Sequence, residues 1–186
     1  MKNLPRHSVL GLLSTVLALL AACNLPAPQA DPVRHFTLSV PAAAVPVAQA
    51  TQVRPVQVAG HLHGRAMAVR VGEHEVVYLD EVRWAEPLDE AITELLRARL
   101  GSVAGGATVT VEVERCELDR SAGNTVQLAA SYSIIPADGL KSAAYRGNFT
   151  ATPRPWDGRD YGALVGLLSQ AVGDLGDALA AAAEKK

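Results

Sequence analysis

Residues 82–100 read VRWAEPLDEAITELLRARL, and this stretch decides the fold. An extended start at Val82-Arg83-Trp84 turns a corner at Ala85-Glu86-Pro87 and enters a helix. Leu88, Ile92, Leu95, Leu96 and Leu100 recur at i, i+4, i+7, i+8 and i+12, one apolar stripe at helical period. Asp89, Glu90, Glu94, Arg97 and Arg99 take the other face. Pro87 suits the first turn, where its missing N–H removes no hydrogen bond. Acids precede arginines, the order the helix dipole favours, and Gly101 is placed to end the helix. A helix with one apolar stripe needs a sheet to cover, and the flanking residues supply it.

Downstream, residues 101–107 form a glycine-rich connector. Residues 108–119 (TVTVEVERCELD) then alternate as a strand, with Val109, Val111 and Val113 on one face. The phase slips afterwards, because Cys116 and Leu118 carry the next apolar positions, so a bulge is predicted near Glu114-Arg115. A turn at 120–124 leads to residues 125–135, where Val126, Leu128, Ala130, Tyr132 and Ile134 alternate inward. Pro136-Ala137-Asp138-Gly139 is a second turn signal. Residues 144–152 group Tyr145, Gly147, Phe149 and Ala151, completing an antiparallel meander. Asp160 can cap a last helix over 160–183, striped by Tyr161, Leu164, Val165, Leu168, Val172, Leu175 and Leu179. Gly162, Gly166, Gly173 and Gly176 weaken that helix or let another backbone approach.

Upstream, residues 66–71 and 76–80 read as a hairpin around Gly72-Glu73-His74-Glu75. Residues 60–64 (GHLHG) are a loop. Residues 53–59 are a strand, with Pro55 marking an edge or bulge position. Residues 35–40 (HFTLSV) are the first strand, and 41–52 an Ala/Pro/Val connection. The predicted architecture is a single α/β domain of the α+β type. It has a mixed, mostly antiparallel sheet with two main helices, at about 86–100 and 160–183, packed on it.

The N-terminus has a different character. Residues 1–8 carry Lys2 and Arg6 and no acid, and residues 9–20 are apolar apart from Gly11, Ser14 and Thr15. A positive start, a short apolar run and small residues at its end make residues 1–22 a secretory signal peptide. The run is too short for a membrane span of about 20 residues. Leu20-Ala21-Ala22-Cys23 resembles a bacterial lipobox. Cleavage is expected between Ala22 and Cys23, with acyl chains such as palmitate on the Cys23 sulfur and its freed amine. Several acyl chains give stable anchoring where one is marginal. Asn24 follows; the absence of an aspartate there points to the outer membrane under the enteric sorting rule. Residues 23–34 form a lipidated, proline-rich tether, and at about 3.3 Å per residue its eleven residues after the cysteine span up to about 35 Å. The folded domain is expected over 35–186.

The 186 residues suffice for one domain with a real core. Without the leader the chain keeps 15 basic and 19 acidic side chains. That balance argues against nucleic acid, whose phosphates need a dense basic face. Aromatics are only 4% of the chain, too few for a stacking platform. With Cys23 lipidated, Cys116 has no partner for a disulfide and reads as an apolar filler.

Catalytic motifs are missing. His74-Glu75 begins like a zinc-protease helix, but Tyr78 stands where the second histidine belongs. His61-x-His63 places two imidazoles on one loop, and only His74 or Cys116 approaching in space would add a ligand; the plainer reading is two solvated histidines. Gly101 and Gly106 have the spacing of two P-loop glycines, but Ala107 replaces the lysine. Asp80, Glu81 and Glu86 read as solvated charges. No nucleophile elbow and no Ser-x-x-Lys occurs, so no catalytic, metal or cofactor site is expected.

Together the lipobox, the tether, the two-helix plan and the corner Trp84-Ala85-Glu86-Pro87-Leu88 resemble the ABC-type transport auxiliary lipoproteins, the PqiC-like group. Phe36-Thr37-Leu38 is similar to the family's Tyr/Phe-x-Leu strand, and residues 53–71 to its next two strands. The chain departs at Gly60-His61-Leu62-His63-Gly64-Arg65, where family members carry a Pro-x-Tyr-Leu-Asp-Arg-like run and only Leu62 and Arg65 fit. The resemblance implies a non-catalytic, periplasm-facing lipoprotein that works with an MCE-domain protein and, through it, an ABC permease and ATPase. Such systems move lipid between membranes and support envelope integrity. A homo-oligomeric ring is one form it implies, with Trp84 and Trp156 as candidate partner contacts. The alternative reading is another structural or assembly lipoprotein of the outer membrane. A lipid-modifying enzyme or a metal site at His61/His63 ranks third.

Overall fold

The computed structural model describes residues 31–39, 47, 50–137 and 143–184. The leader with Ala22 and Cys23, most of the tether, and Asp138 and Gly139 of the second turn lie outside the described residues.

The long valine-rich segments form the sheet. Two strands dominate it, β6 (Thr108–Asp119) and β7 (Thr125–Ile135), antiparallel along their whole length. Their pairing slips between Val113 and Arg115, which is the predicted bulge. The bulge keeps one face apolar: Val109, Val111 and Val113 lie on it before the slip, Cys116 and Leu118 after it, and all five are buried. The turn between the strands needs positive φ at Gly123 (80°) and Asn124 (55°), residue types that tolerate it. The outer edge of β7 pairs with β8 (Tyr145–Thr150) and then β9 (Arg154–Pro155).

Three short strands share the other edge of β6, all parallel to it: β2 (Gln52–Val53), β3 (Gln57–Val58) and β4 (Ala66–Arg70). The single strand expected over 53–59 is therefore two strands. Pro55 has no N–H to donate, and the Val56 N–H goes to the Thr93 hydroxyl at 2.9 Å. A 3₁₀ turn at Gly60–Leu62 fills the predicted loop. The expected hairpin is β4 with β5 (Val76–Trp84), which runs on to the tryptophan. On its far side β5 takes β1 (Arg34–Phe36) in parallel. β1 is shorter than the predicted strand because the chain leaves the sheet to bury Leu38, and the Ser39 N–H meets the Ser169 hydroxyl at 2.9 Å. The strand order is β1-β5-β4-β6-β7-β8.

Helix α1 (Leu88–Leu100) carries the predicted stripe, and Leu88, Ile92, Leu95, Leu96 and Leu100 are all buried. Pro87 sits one place earlier than expected, at the N-cap, and its carbonyl accepts the Ala91 N–H. Gly101 ends the helix in a right-handed conformation, its N–H on the Arg97 carbonyl. Helix α2 (Tyr161–Glu184) is capped by Asp160, whose Oδ1 accepts the Gly162 N–H at 2.9 Å. Gly176 lets the helices close: a Cβ there would lie 3.0 Å from the Arg99 Cγ. Both helices bury their stripes against the valine face of the sheet. Each fully buried leucine contributes about 1.5–3 kcal/mol relative to an exposed one.

Candidate functional site

Three features combine polar chemistry with a defined shape. The first is the corner at the end of β5. Trp84 is only 3% exposed, and its backbone N–H donates to the Arg65 carbonyl at 2.7 Å, while the Ala85 backbone N–H meets the Phe36 carbonyl at 2.8 Å. The corner thus ties β1, β5 and the start of β4 together. Trp156 is also buried; its Nε1 donates to the Asp160 carbonyl at 2.8 Å and its ring lies 5.3 Å from that of Tyr161. Both indoles, the candidate partner contacts, are thus packed within the described domain. At the corner it is Arg83 and Ala85 that face solvent.

The second feature lies on the sheet face away from the helices. Glu117 follows Cys116 on β6 and so points the other way, yet its side chain is 0% exposed. Its Oε1 accepts from Arg70 Nε at 2.7 Å and from Arg115 Nε at 3.0 Å, and its Oε2 from His61 Nε2 at 3.1 Å. Arg115 reaches on to Asp119 Oδ2 at 2.8 Å. Asp119 Oδ1 accepts from the Ser121 hydroxyl and the Ala122 N–H. Burial alone would raise the Asp119 carboxyl; the Ser121, Arg115 and Ala122 hydrogen bonds outweigh it and hold it below its ordinary value. Burial likewise opposes the Arg115 charge, but Asp119 and Glu117 raise its pKa overall. Beside His61, the Tyr78 hydroxyl donates to the His61 carbonyl at 3.1 Å. Both Glu117 carboxylate oxygens are therefore engaged by donors, an arrangement that ties β4, β6 and the 3₁₀ turn together. His63 and His74 stand exposed and apart from it.

The third feature is a cleft of about 520 Å³ between α1 and α2. Gly166 and Gly173 of α2 form its floor, with Leu95, Arg99, Arg154 and Asp174 around it. Arg99 holds Asp177 through Nε, at 2.7 Å, and through one terminal nitrogen. Arg154 holds Asp174.

The sequence matches the family described as "ABC-type transport auxiliary lipoprotein component" over residues 36–180. The chain belongs to this family. Among curated proteins no sequence matches it. Two crystal structures are similar in fold to this auxiliary lipoprotein. One, of an uncharacterized protein, has a TM-score of 0.63 at 16% identity and covers 78% of this chain and 95% of its own. The other, protein XCC0632 from Xanthomonas campestris, of the family DUF330, has a TM-score of 0.63 at 18% identity and covers 79% and 92%.

Reading the lipoprotein's sequence found the corner and the helices but missed the Glu117 network. The available signal was the run Arg115-Cys116-Glu117-Leu118-Asp119 just after a bulge, where charges alternate with apolar residues on a strand that has cover on both faces. Cys116 itself is fully shielded. Burial, with a smaller contribution from the Glu117 charge, pushes its thiol up to about 12. At pH 8 the thiol therefore stays protonated, and only the thiolate reacts. Iodoacetamide is expected to leave Cys116 of the native protein unmodified for as long as it takes to alkylate the urea-unfolded chain fully. Mass spectrometry of the Cys116 peptide checks this; alkylation of the native protein at the unfolded rate would contradict it.

Proposed function

We propose that this auxiliary lipoprotein is held in the outer membrane by acyl chains on Cys23, faces the periplasm, and serves a lipid transport system without catalysis of its own. Its partner in this reading is an MCE-domain protein coupled to an ABC permease and ATPase, and the transport supports envelope integrity. The observation that carries the reading is the family match over 36–180. The sequence ahead of it supports the same reading, since Leu20-Ala21-Ala22-Cys23 follows a signal peptide and precedes a proline-rich tether. Several acyl chains, each contributing about 0.8 kcal/mol per buried CH₂, make the anchor stable. A tether reach of about 35 Å lets the domain meet a partner away from the membrane surface. A non-catalytic role fits the chemistry of the fold: Glu117 and Asp119 hold arginines, and Cys116 is sealed.

Anchoring is tested with Cys23→Ser. The wild-type protein is expected to incorporate labelled palmitate and to band with outer membranes on a sucrose gradient. The variant is expected to lose the label entirely. Persistent labelling of the variant, or banding of the wild type with inner membranes, would contradict the anchor or its location. The transport role is tested genetically. Deleting the lipoprotein, its MCE-domain partner or both is expected to give the same detergent sensitivity, whereas an additive double deletion would place them in separate systems.

A further inference from the structure

We propose that the cleft between α1 and α2 binds the zwitterionic headgroup of a phospholipid, the phosphate on Arg99 and Arg154 and the ammonium on Asp174. Arg99, Arg154 and Asp174 line the cleft, and each arginine is paired with an aspartate, Arg154 with Asp174 and Arg99 with Asp177 outside the lining, so the local charge is largely balanced. A balanced site that keeps separate positive and negative ends complements a ligand with a phosphate and an ammonium, and a net anion gains less there. Each arginine retains donors. Arg99 uses Nε and one terminal nitrogen on Asp177, and among the described residues its other terminal nitrogen has no partner. Arg154 uses its terminal nitrogens on Asp174 and the Thr152 carbonyl, which leaves Nε. Guanidinium groups bind phosphate through such N–H pairs.

Shape agrees with charge. A Cβ built on Gly166 or Gly173 meets nothing within 4 Å, so the absent side chains open the cleft and no neighbour requires glycine there. Glycine in a helix interior is unfavourable by about 1 kcal/mol relative to alanine. Gly176, one turn on, is explained by the approach of Arg99, whereas Gly166 and Gly173 have no packing reason. The volume of about 520 Å³ lies in the range of small-molecule sites, and Leu95 gives one wall apolar character for the glycerol. A phosphate-plus-ammonium ligand has two sources, a membrane phospholipid and a soluble glycerophosphoethanolamine. The assignment to phospholipid rests on the lipid-transport reading above.

The test is native mass spectrometry of the purified, lipidated full chain released from detergent. The probes, added separately at equal concentration, are phosphatidylethanolamine, phosphatidylglycerol, glycerophosphoethanolamine and inorganic phosphate. Phosphatidylethanolamine is expected to form an adduct at least about ten-fold more abundant than phosphatidylglycerol or inorganic phosphate, the size of one charge-assisted hydrogen bond, and more abundant than glycerophosphoethanolamine, which lacks acyl chains. Gly166→Leu with Gly173→Leu fills the cleft and is expected to remove that preference while the unfolding temperature stays at or above the wild-type value. Should the filled variant not fold, Arg154→Gln with Asp174→Asn carries the same expectation. Equal adducts of the two lipids, or a preference untouched by either variant, would overturn the site. Equal binding of glycerophosphoethanolamine would overturn the membrane lipid as its ligand. Either failure leaves the transport role standing if the MCE-domain partner is still captured from cells.

Discussion

Glu117→Ala is expected to lower the unfolding free energy by about 3 kcal/mol, the low end of the range for breaking a buried ion pair. The side chain is 0% exposed and accepts hydrogen bonds from Arg70, Arg115 and His61. Its removal takes the carboxylate partner from Arg70 and leaves Arg115 with Asp119 alone, beside a hole where the side chain stood. The loss stays at the low end because Arg70 and Arg115 are 18% and 32% exposed and regain some water. Glu117→Gln fills the same space and still accepts one hydrogen bond, so it is expected to lose less. Urea unfolding followed by circular dichroism measures both. A loss under about 1 kcal/mol for Glu117→Ala would contradict the network's role. Acid attacks the same cluster. The Asp119 carboxyl has a lowered folded pKa, so its contribution is complete above the unfolded value of about 3.9 and disappears as pH falls through the folded one. Asp119→Asn is therefore expected to flatten the stability profile below about pH 4 and to leave its shape at pH 6–8 unchanged.

Trp84→Ala is expected to cost about 3–5 kcal/mol, the range for deleting a buried aromatic. At 3% exposure the indole fills the corner between β5 and α1, where Leu88 is also buried. The same urea titration reads the effect. A loss under about 1 kcal/mol would mean that the indole lies at the surface, free to meet a partner. Substitutions meant to probe the corner as a contact therefore belong at Arg83 and Ala85, which face solvent.

Much of this fold is legible in local pattern. The boundaries of β6 and β7, the bulge between them, the stripe of α1 and the Asp160 cap all follow from periodicity and from residues a few positions apart. The features that escape local reading depend on distant partners. The break at Pro55 is stabilised by Thr93, 37 residues away, and the early end of β1 by Ser169, 130 residues away from Ser39. Glu117 reads as a solvated face of its strand because its cover comes from elsewhere: His61 is 56 residues upstream and Arg70 is 47. The cleft escapes for the same reason. Its glycines show in the sequence, but which of them packs and which lies open depends on where Arg99 stands. The lipidation signal is the reverse case. Its proposed site, Cys23, is read entirely from neighbouring residues, because a lipobox is a short linear segment.

The most direct test of the central claim is crosslinking in intact cells, followed by capture of the lipidated protein and mass spectrometry of what accompanies it. An MCE-domain protein is the predicted recovery, reduced when Arg83 and Ala85 are replaced in a domain that remains folded. Recovery of an outer-membrane assembly machine alone, with no transport component, would contradict the account.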